Sequence, residues 1–316
     1  MGAPGDIGQC AYRLFTDIWR RMLDLWSVCT RINCNRSGRV RAYRIVPDYQ
    51  KVEWKMKYEI KKVALDLTVG GISSEELLGG CIEGCTPFHH RIPAGSVISF
   101  PGDDIHHVLV LVSGEAKFAT DGNEYVFHER VVFIPDPKKT AEVAAVTDVN
   151  ILEIRWKKRP GEDEKLAAEY QTQFPLIQIY RNSKQYRDRN KSDKTISRSC
   201  IDQRRIPRFA MGSVETYGFD AVKSHDHPML DQYFFSFPEN DMDVLIDFEA
   251  VPMKGCELLY IPLGSMHGVD VPPGKHCHYL WIDFYPDNEE ALKRLDWSHV
   301  PTGKQASFNA KTGERA

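Results

Sequence analysis

Through most of the chain, apolar and polar residues alternate in short blocks rather than at helical spacing. Residues 62–69, 96–100, 108–112, 116–119, 123–127, 131–134, 141–146 and 150–155 each have the β-branched and aromatic content of a strand. Pro93-Ala94-Gly95, Ser113-Gly114 and Asp121-Gly122 stand between them as turns. The same grammar returns over 209–216, 232–237, 243–248, 257–261 and 276–285, and 258–262 resembles 132–135. The pattern predicts an all-β fold of two related barrels in tandem, a first at 52–160 and a second at 209–287. A linker at 161–208, opening with a helix through Tyr170, joins them, and a polar tail is expected over 288–316.

Residues 1–51 have a different character. Tyr12, Leu14, Phe15, Ile18, Trp19, Met22, Leu23 and Trp26 recur at helical spacing, and seven Arg against three Asp give residues 1–43 a charge of +4. This predicts an amphipathic helical extension. Packing on the body or on a neighbouring subunit is preferred over membrane-surface binding and over an overextended start.

The length of 316 residues suits two domains, and the 42% hydrophobic, 27% charged composition is that of a folded chain. With a net charge of −3, the protein is no polycation built for nucleic acid. No apolar stretch reaches membrane-spanning length. Eight cysteines are too sparse for a disulfide scaffold, so a reducing cytoplasm is expected. The run from Arg181 to Arg208 carries ten Lys or Arg against three Asp. It reads as a solvated loop that would attract anions if it lay beside a pocket.

Chemistry concentrates in the second half. His225 and His227 are two residues apart, so extended backbone points both imidazoles the same way. Gln232 opens an aromatic strand, and His267 follows the Pro262-Leu263-Gly264 turn. Neighbouring barrel strands carrying these four side chains inward make a three-His site with one amide oxygen and open positions, a catalytic metal geometry. One divalent ion per chain, Zn, Mn or Fe, is expected.

This arrangement, with Gly255 upstream of Pro262-x-Gly264-x-x-His267, resembles the paired metal motifs of the cupin superfamily. A narrower resemblance is to the uronate isomerase family, which contains 5-deoxy-glucuronate isomerase and 5-keto-4-deoxyuronate isomerase. It rests on Tyr233-Phe234-Phe235-Ser236-Phe237, on the segment from His267 through Pro272-Pro273-Gly274 to Tyr279-Leu280-Trp281, and on Arg91-Ile92-Pro93-Ala94-Gly95, the 108–114 strand and the 128–133 segment. It implies tandem cupin barrels and a metal-dependent aldose–ketose isomerase acting on a uronate or deoxy-keto sugar acid through an enediolate. The family places Glu where this chain has Gln232. Either Gln232 ligates through its carbonyl oxygen or it only orients the histidines; in the first case restoring Glu should tighten metal binding. In the first barrel the positions matching His225, His227 and His267 are Phe100, Gly102 and Thr140, so that barrel is expected to be structural.

Asp231, His276 and His278, or solvent held at the metal, are the candidate bases. Arg204, Arg205, Arg208 and Lys223 are candidates for the substrate carboxylate, with Tyr233 and Tyr279 also at the substrate. Cys81, Cys85, His89 and His90 read as a loop with incidental thiols rather than a zinc site, and His106-His107 as a strand entry. The rivals are an Fe(II) dioxygenase, a sugar-acid lyase or epimerase, and a non-enzymatic sugar sensor. The expected partners are a small sugar acid and further copies of the chain, with no nucleic acid and no membrane.

Overall fold

The computed structural model describes residues 59–303, apart from Pro228, together with a two-stranded ladder pairing Ile32–Cys34 with Val40–Ala42. The helix expected over residues 12–26 lies outside the described residues. From residue 59 onward the chain builds two barrels from antiparallel sheets. The first joins a six-stranded sheet, centred on Ile105–Ser113 and Val149–Lys157, to a four-stranded sheet of Val97–Phe100, Ala141–Ala145, Ala116–Thr120 and Asn123–Phe127. The second joins an eight-stranded sheet, centred on Phe209–Tyr217, His276–Phe284 and Asp231–Ser236, to a four-stranded sheet of Asp220–His225, His267–Val271, Asp241–Ile246 and Glu249–Lys254. Among the described residues, no helix is long and apolar enough to cross a membrane.

Strand parity sends each side chain to one of three cores. Leu109 and Leu111 point into the first barrel with Phe118, Phe133, Val143 and Ile151. Val108, Val110 and Val112 point out of it, onto a layer shared with Tyr233, Phe235, Leu280, Ile282 and Phe284 from the second barrel. Cys277, Tyr279 and Trp281 turn the other way, into the second barrel, beside Phe234, Val244, Ile261 and Val269. Both faces of the central sheets are therefore covered, so 108–112 is an unbroken apolar run rather than an alternation.

The boundaries differ from those expected in three places. Lys62–Ala64, expected in the first barrel, pairs with Glu257–Ile261 of the second. Leu176–Ile179, expected in the linker, pairs with Val131–Ile134 of the first. Each strand covers a sheet edge that would otherwise present unpaired backbone groups. The basic run is not a solvated loop throughout, because Lys184–Arg187 and Ile196–Ile206 are strands of the second barrel.

Nor does the chain end in a plain polar tail after 287. Asn288–Ser298 is a helix whose first turn is capped by the Asp287 carboxylate accepting from the Glu290 amide. Ala291 and Leu295, one turn apart, are buried in the interior core of the second barrel. Beyond the helix, Val300–Pro301 pairs with Lys184–Arg187. This closing segment brings His299 to the barrel mouth.

Candidate metal centre

Three local features aim the histidines of the second barrel at one another. A bulge after Val222 shifts the register so that His225 stands directly opposite His267. Gly268 lets the two strands approach, since a Cβ there would lie 2.8 Å from the Val222 carbonyl oxygen. Gly264, at a φ of +75°, makes the turn that delivers His267. The ring centroids of His225, His227 and His267 lie 4.8, 4.8 and 5.2 Å apart. Their ligand atoms all fall within 4.8 Å of one another. An ion ~2.1 Å from each nitrogen spans at most about 4.2 Å between nitrogens, so small side-chain rotations close the set.

The hydrogen bonds select the ligating nitrogen. His225 Nδ1–H donates to the Lys223 carbonyl (2.7 Å), and His267 Nδ1–H donates to the Ser265 carbonyl (3.1 Å). That leaves Nε2 of each ring with the free lone pair, the nitrogen available to a metal. Burial, reinforced by the neighbouring His225, pushes His267 down to about 3. Burial and then the other two rings hold His227 well below the usual imidazole value, and burial lowers His225 as well. All three are neutral imidazoles at physiological pH, the form a metal requires.

Gln232 supplies the test of fit. Its Nε2 donates to Asp283 Oδ1 at 2.6 Å, while its Oε1 is buried without a hydrogen-bond partner. A buried carbonyl oxygen beside three neutral imidazoles is a donor set suited to a divalent ion. The residues surround a cavity of about 30 Å³ that is also lined by Tyr186, Asp188, Lys191, Tyr279, Trp281 and His299. His225 and His227 also face an adjoining cleft of about 620 Å³, lined by Asn190, Met229, Lys293, Arg294 and Trp297.

The cavity holds groups that the sequence pattern did not single out. Lys191 enters from a loop alongside Asp220–His225, where Lys223 N donates to Asn190 O at 2.8 Å. Its ammonium pairs with Asp188 at 2.8 Å, both side chains only 7% exposed. Burial opposes ionisation of Asp188, but Lys191 outweighs it and holds the carboxyl at about 2. The ammonium is stabilised well above the ordinary lysine range, since Tyr186 and Asp188 outweigh its own burial. Asp220 anchors the loop by accepting from Ser192, Thr195 and Thr216 hydroxyls. His299 packs on Tyr186 with ring centroids 4.4 Å apart, and burial pushes it down to about 4. Burial also raises Asp283, to about 7.

Several expected site residues lie elsewhere, mostly for reasons of parity. Asp231 adjoins Gln232 and so faces the opposite side of the strand, where Tyr260 Oη donates to it. Tyr233 follows it there, its hydroxyl donating to the Leu78 carbonyl between the barrels. His276 and His278 share the parity of Leu280, not of Tyr279, and meet Glu215 outside the barrel. Arg204 makes a bidentate surface pair with Asp296. Arg205 lines other clefts and not the cavity of the three histidines. Arg208 is buried in a bidentate pair with Asp163, and Lys223 is exposed. Of the expected substrate residues, Tyr279 alone lines the cavity.

Glu215, His276 and His278 form a second group of closely spaced ligand atoms. They are already committed: Arg198 pairs with Glu215 at 2.7 Å, and His278 meets Glu239 and Tyr180 at 2.6 Å each. In the first barrel, charge occupies the interior instead. Glu153 accepts from His90 and His107, and Asp103 also meets His107. His107 is thus an interior ion-pair partner rather than a mere strand entry. His106 packs beside Phe174 with both ring nitrogens unpartnered. Cys81, Cys85, His89 and His90 form no metal-ligand group among the described residues.

No family model matches the chain, and no curated protein matches it. Solved structures do match. An IolB-like protein from Salmonella typhimurium is similar over 72% of this chain and 94% of its own, with 15% identity and a TM-score of 0.56. Oxalate decarboxylase from Bacillus subtilis, described with Mn(II) centres, matches 75% of this chain and 84% of its own at 11% identity and a TM-score of 0.54. A cupin 2 conserved barrel domain protein from Leptotrichia buccalis covers 72% of this chain and 98% of its own at 12% identity and 0.51. The fold is that of the cupins, with two barrels in tandem.

Proposed function

We propose that the protein is a metal-dependent cupin enzyme that isomerises a uronate or deoxy-keto sugar acid. The carrying observation is the convergence of His225, His227, His267 and the unpartnered Oε1 of Gln232 on a cavity that also holds the Lys191 ammonium. An ion held there would supply Lewis acidity toward a carbonyl and its adjacent hydroxyl. Lys191 supplies a buried cation for the substrate carboxylate, strengthened by exclusion of water. The small cavity takes the reacting end of the sugar, and the adjoining cleft takes the remainder.

Isomerisation moves one proton between neighbouring carbons and a second between their oxygens. His299 is the residue assigned to the carbon-bound proton, because it lines the cavity as a neutral imidazole and is not among the grouped metal ligands. It replaces Asp231, His276 and His278 in that role. The similarity to an IolB-like protein and the motif resemblance to uronate isomerases support the substrate class, and the Mn(II) of the oxalate decarboxylase supports a metal.

The test is elemental analysis combined with a proton-exchange assay in deuterated water on a panel of uronates and deoxy-keto sugar acids. Interconversion of aldose and ketose without oxygen consumption, lost in His299→Asn while metal is retained, is the expected result. Substrate-dependent oxygen uptake assigns the site to a dioxygenase instead, and loss of water or inversion at carbon without interconversion assigns it to a lyase or epimerase.

A further inference from the structure

His106 stands on Ile105–Ser113 with the parity of Val108 and Val110, so it points out of the first barrel and away from the ion-pair cluster at His107. The residue is 3% exposed, and neither ring nitrogen has a hydrogen-bond partner among the described residues. Burial holds the imidazole down at about 4, so at neutral pH the ring keeps one N–H to give and one lone pair to accept. A buried polar group left in this state costs stability until something pairs with it.

The ring lines a cleft of about 320 Å³, separate from the cavity of the three histidines and within the range of roughly 300–1,000 Å³ typical of small-molecule sites. Its walls come from the turn at 136–138, the helix Glu162–Tyr170, residues 172–174 and the end of Ile196–Ile206. Phe174 stacks on His106 with ring centroids 6.1 Å apart, and Pro137 and Pro207 add further apolar surface.

Hydrogen-bonding capacity around the cleft is unevenly spent. The acceptors are taken. Asp163 holds Arg208 through both oxygens at 2.8 Å, and Glu164 accepts from the Gly161 amide. Asp136 accepts from the Lys138 amide at 2.9 Å, and the Pro207 carbonyl accepts from Trp156 Nε1 at 3.0 Å. Lys158 is paired with Asp104. What is left over consists of donors: the His106 N–H, the Arg205 guanidinium and the Lys138 ammonium, the last two in no salt bridge among the described residues. A group that only accepts, carries negative charge and is attached to an apolar body answers each of these features.

We propose that this cleft is a second ligand site, taking a small organic acid whose carboxylate meets His106 and Arg205 while its apolar body lies against Phe174, Pro137 and Pro207. The apolar walls favour such a body over the hydroxylated ring of a sugar acid. The site therefore differs from the metal centre in chemistry as well as in place, and it stands whether or not the metal reading does.

The experiment titrates full-length protein, isotopically labelled at its histidine ring nitrogens, with benzoate, with D-glucuronate and with inorganic phosphate, followed by calorimetry and by the ring-nitrogen resonances. Benzoate should bind and move the His106 resonances, which are identified by their absence from His106→Leu. Arg205→Gln changes an exposed side chain and should weaken benzoate binding by ~10–100-fold, the loss of one charge-assisted contact. Lys191→Met removes the cation of the metal-centre cavity and should leave benzoate affinity at the wild-type level. His106 resonances that benzoate does not move leave the cleft to water and overturn the proposal. So does benzoate affinity lost in Lys191→Met but kept in Arg205→Gln, which assigns the carboxylate to the metal centre. Glucuronate or phosphate moving the His106 resonances in preference to benzoate overturns the assignment to an acid with an apolar body.

Discussion

Replacing Glu153 with Gln tests whether the interior of the first barrel is held together by charge. Glu153 is fully buried and accepts from His107 Nδ1 at 2.5 Å, His90 Nε2 at 2.6 Å and Arg155 Nε at 3.0 Å. Burial alone would raise its carboxyl, but these partners hold it at about 2, against an ordinary value of 4.5. A displacement of that size corresponds to about 3 kcal/mol in favour of the charged form. His107 moves the opposite way: burial depresses it, but Glu153 and Asp103 outweigh burial and raise it above its ordinary 6.5.

The pH dependence follows from those two directions. The Glu153 contribution is present above 4.5 and is lost as the pH falls toward 2. The His107 contribution is complete below 6.5 and is lost as the pH rises through its raised value. Stabilisation by the cluster is therefore greatest between the two ordinary values. Calorimetric or denaturant unfolding of Glu153→Gln should show a loss of about 3 kcal/mol near pH ~5.5, roughly 5–10 °C in midpoint. The gap should narrow in acid and in alkali, while metal content stays at the wild-type level. Wild-type stability across this range, or loss of metal from the second barrel, would mean that charge does not hold this interior together.

Arg208→Ala leaves Asp163 buried without its partner and should cost about 3–5 kcal/mol in unfolding measurements, with KM unchanged because the pair lies outside the site. Lys191→Met should keep the metal but weaken binding of a uronate probe by ~10–100-fold, the loss of one charge-assisted contact, read by titration calorimetry. Asp220→Ala removes the acceptor for three hydroxyls and should speed amide exchange over residues 188–195 without unfolding the barrel, as followed by mass spectrometry.

The two-barrel architecture and the meeting of His225, His227 and His267 were legible because they depend on local rules. Turn residues punctuate strands of period two, and an i, i+2 pair on extended backbone shares a face. Parity also fixes the neighbours of a ligand: given an inward Gln232, adjacent Asp231 and Tyr233 must face outward. The cross-strand register decided the rest. Sequence spacing alone does not reveal that Gln232 lies opposite Asp283, that Lys62–Ala64 covers an edge of the second barrel and Leu176–Ile179 an edge of the first, or that His299 reaches the mouth. Lys191 lay inside the basic run that signalled anion attraction, but its pairing with Asp188 depends on how the 188–195 loop folds back.

Whether the three histidines and Gln232 hold an ion is settled by anomalous diffraction from crystals of the full-length protein equilibrated with Mn²⁺. One strong peak per chain is expected within bonding distance of His225, His227 and His267 nitrogens and of Gln232 Oε1, with none in the first barrel. A map without density among those four side chains, or with its principal peak at Glu215, His276 and His278, contradicts this assignment.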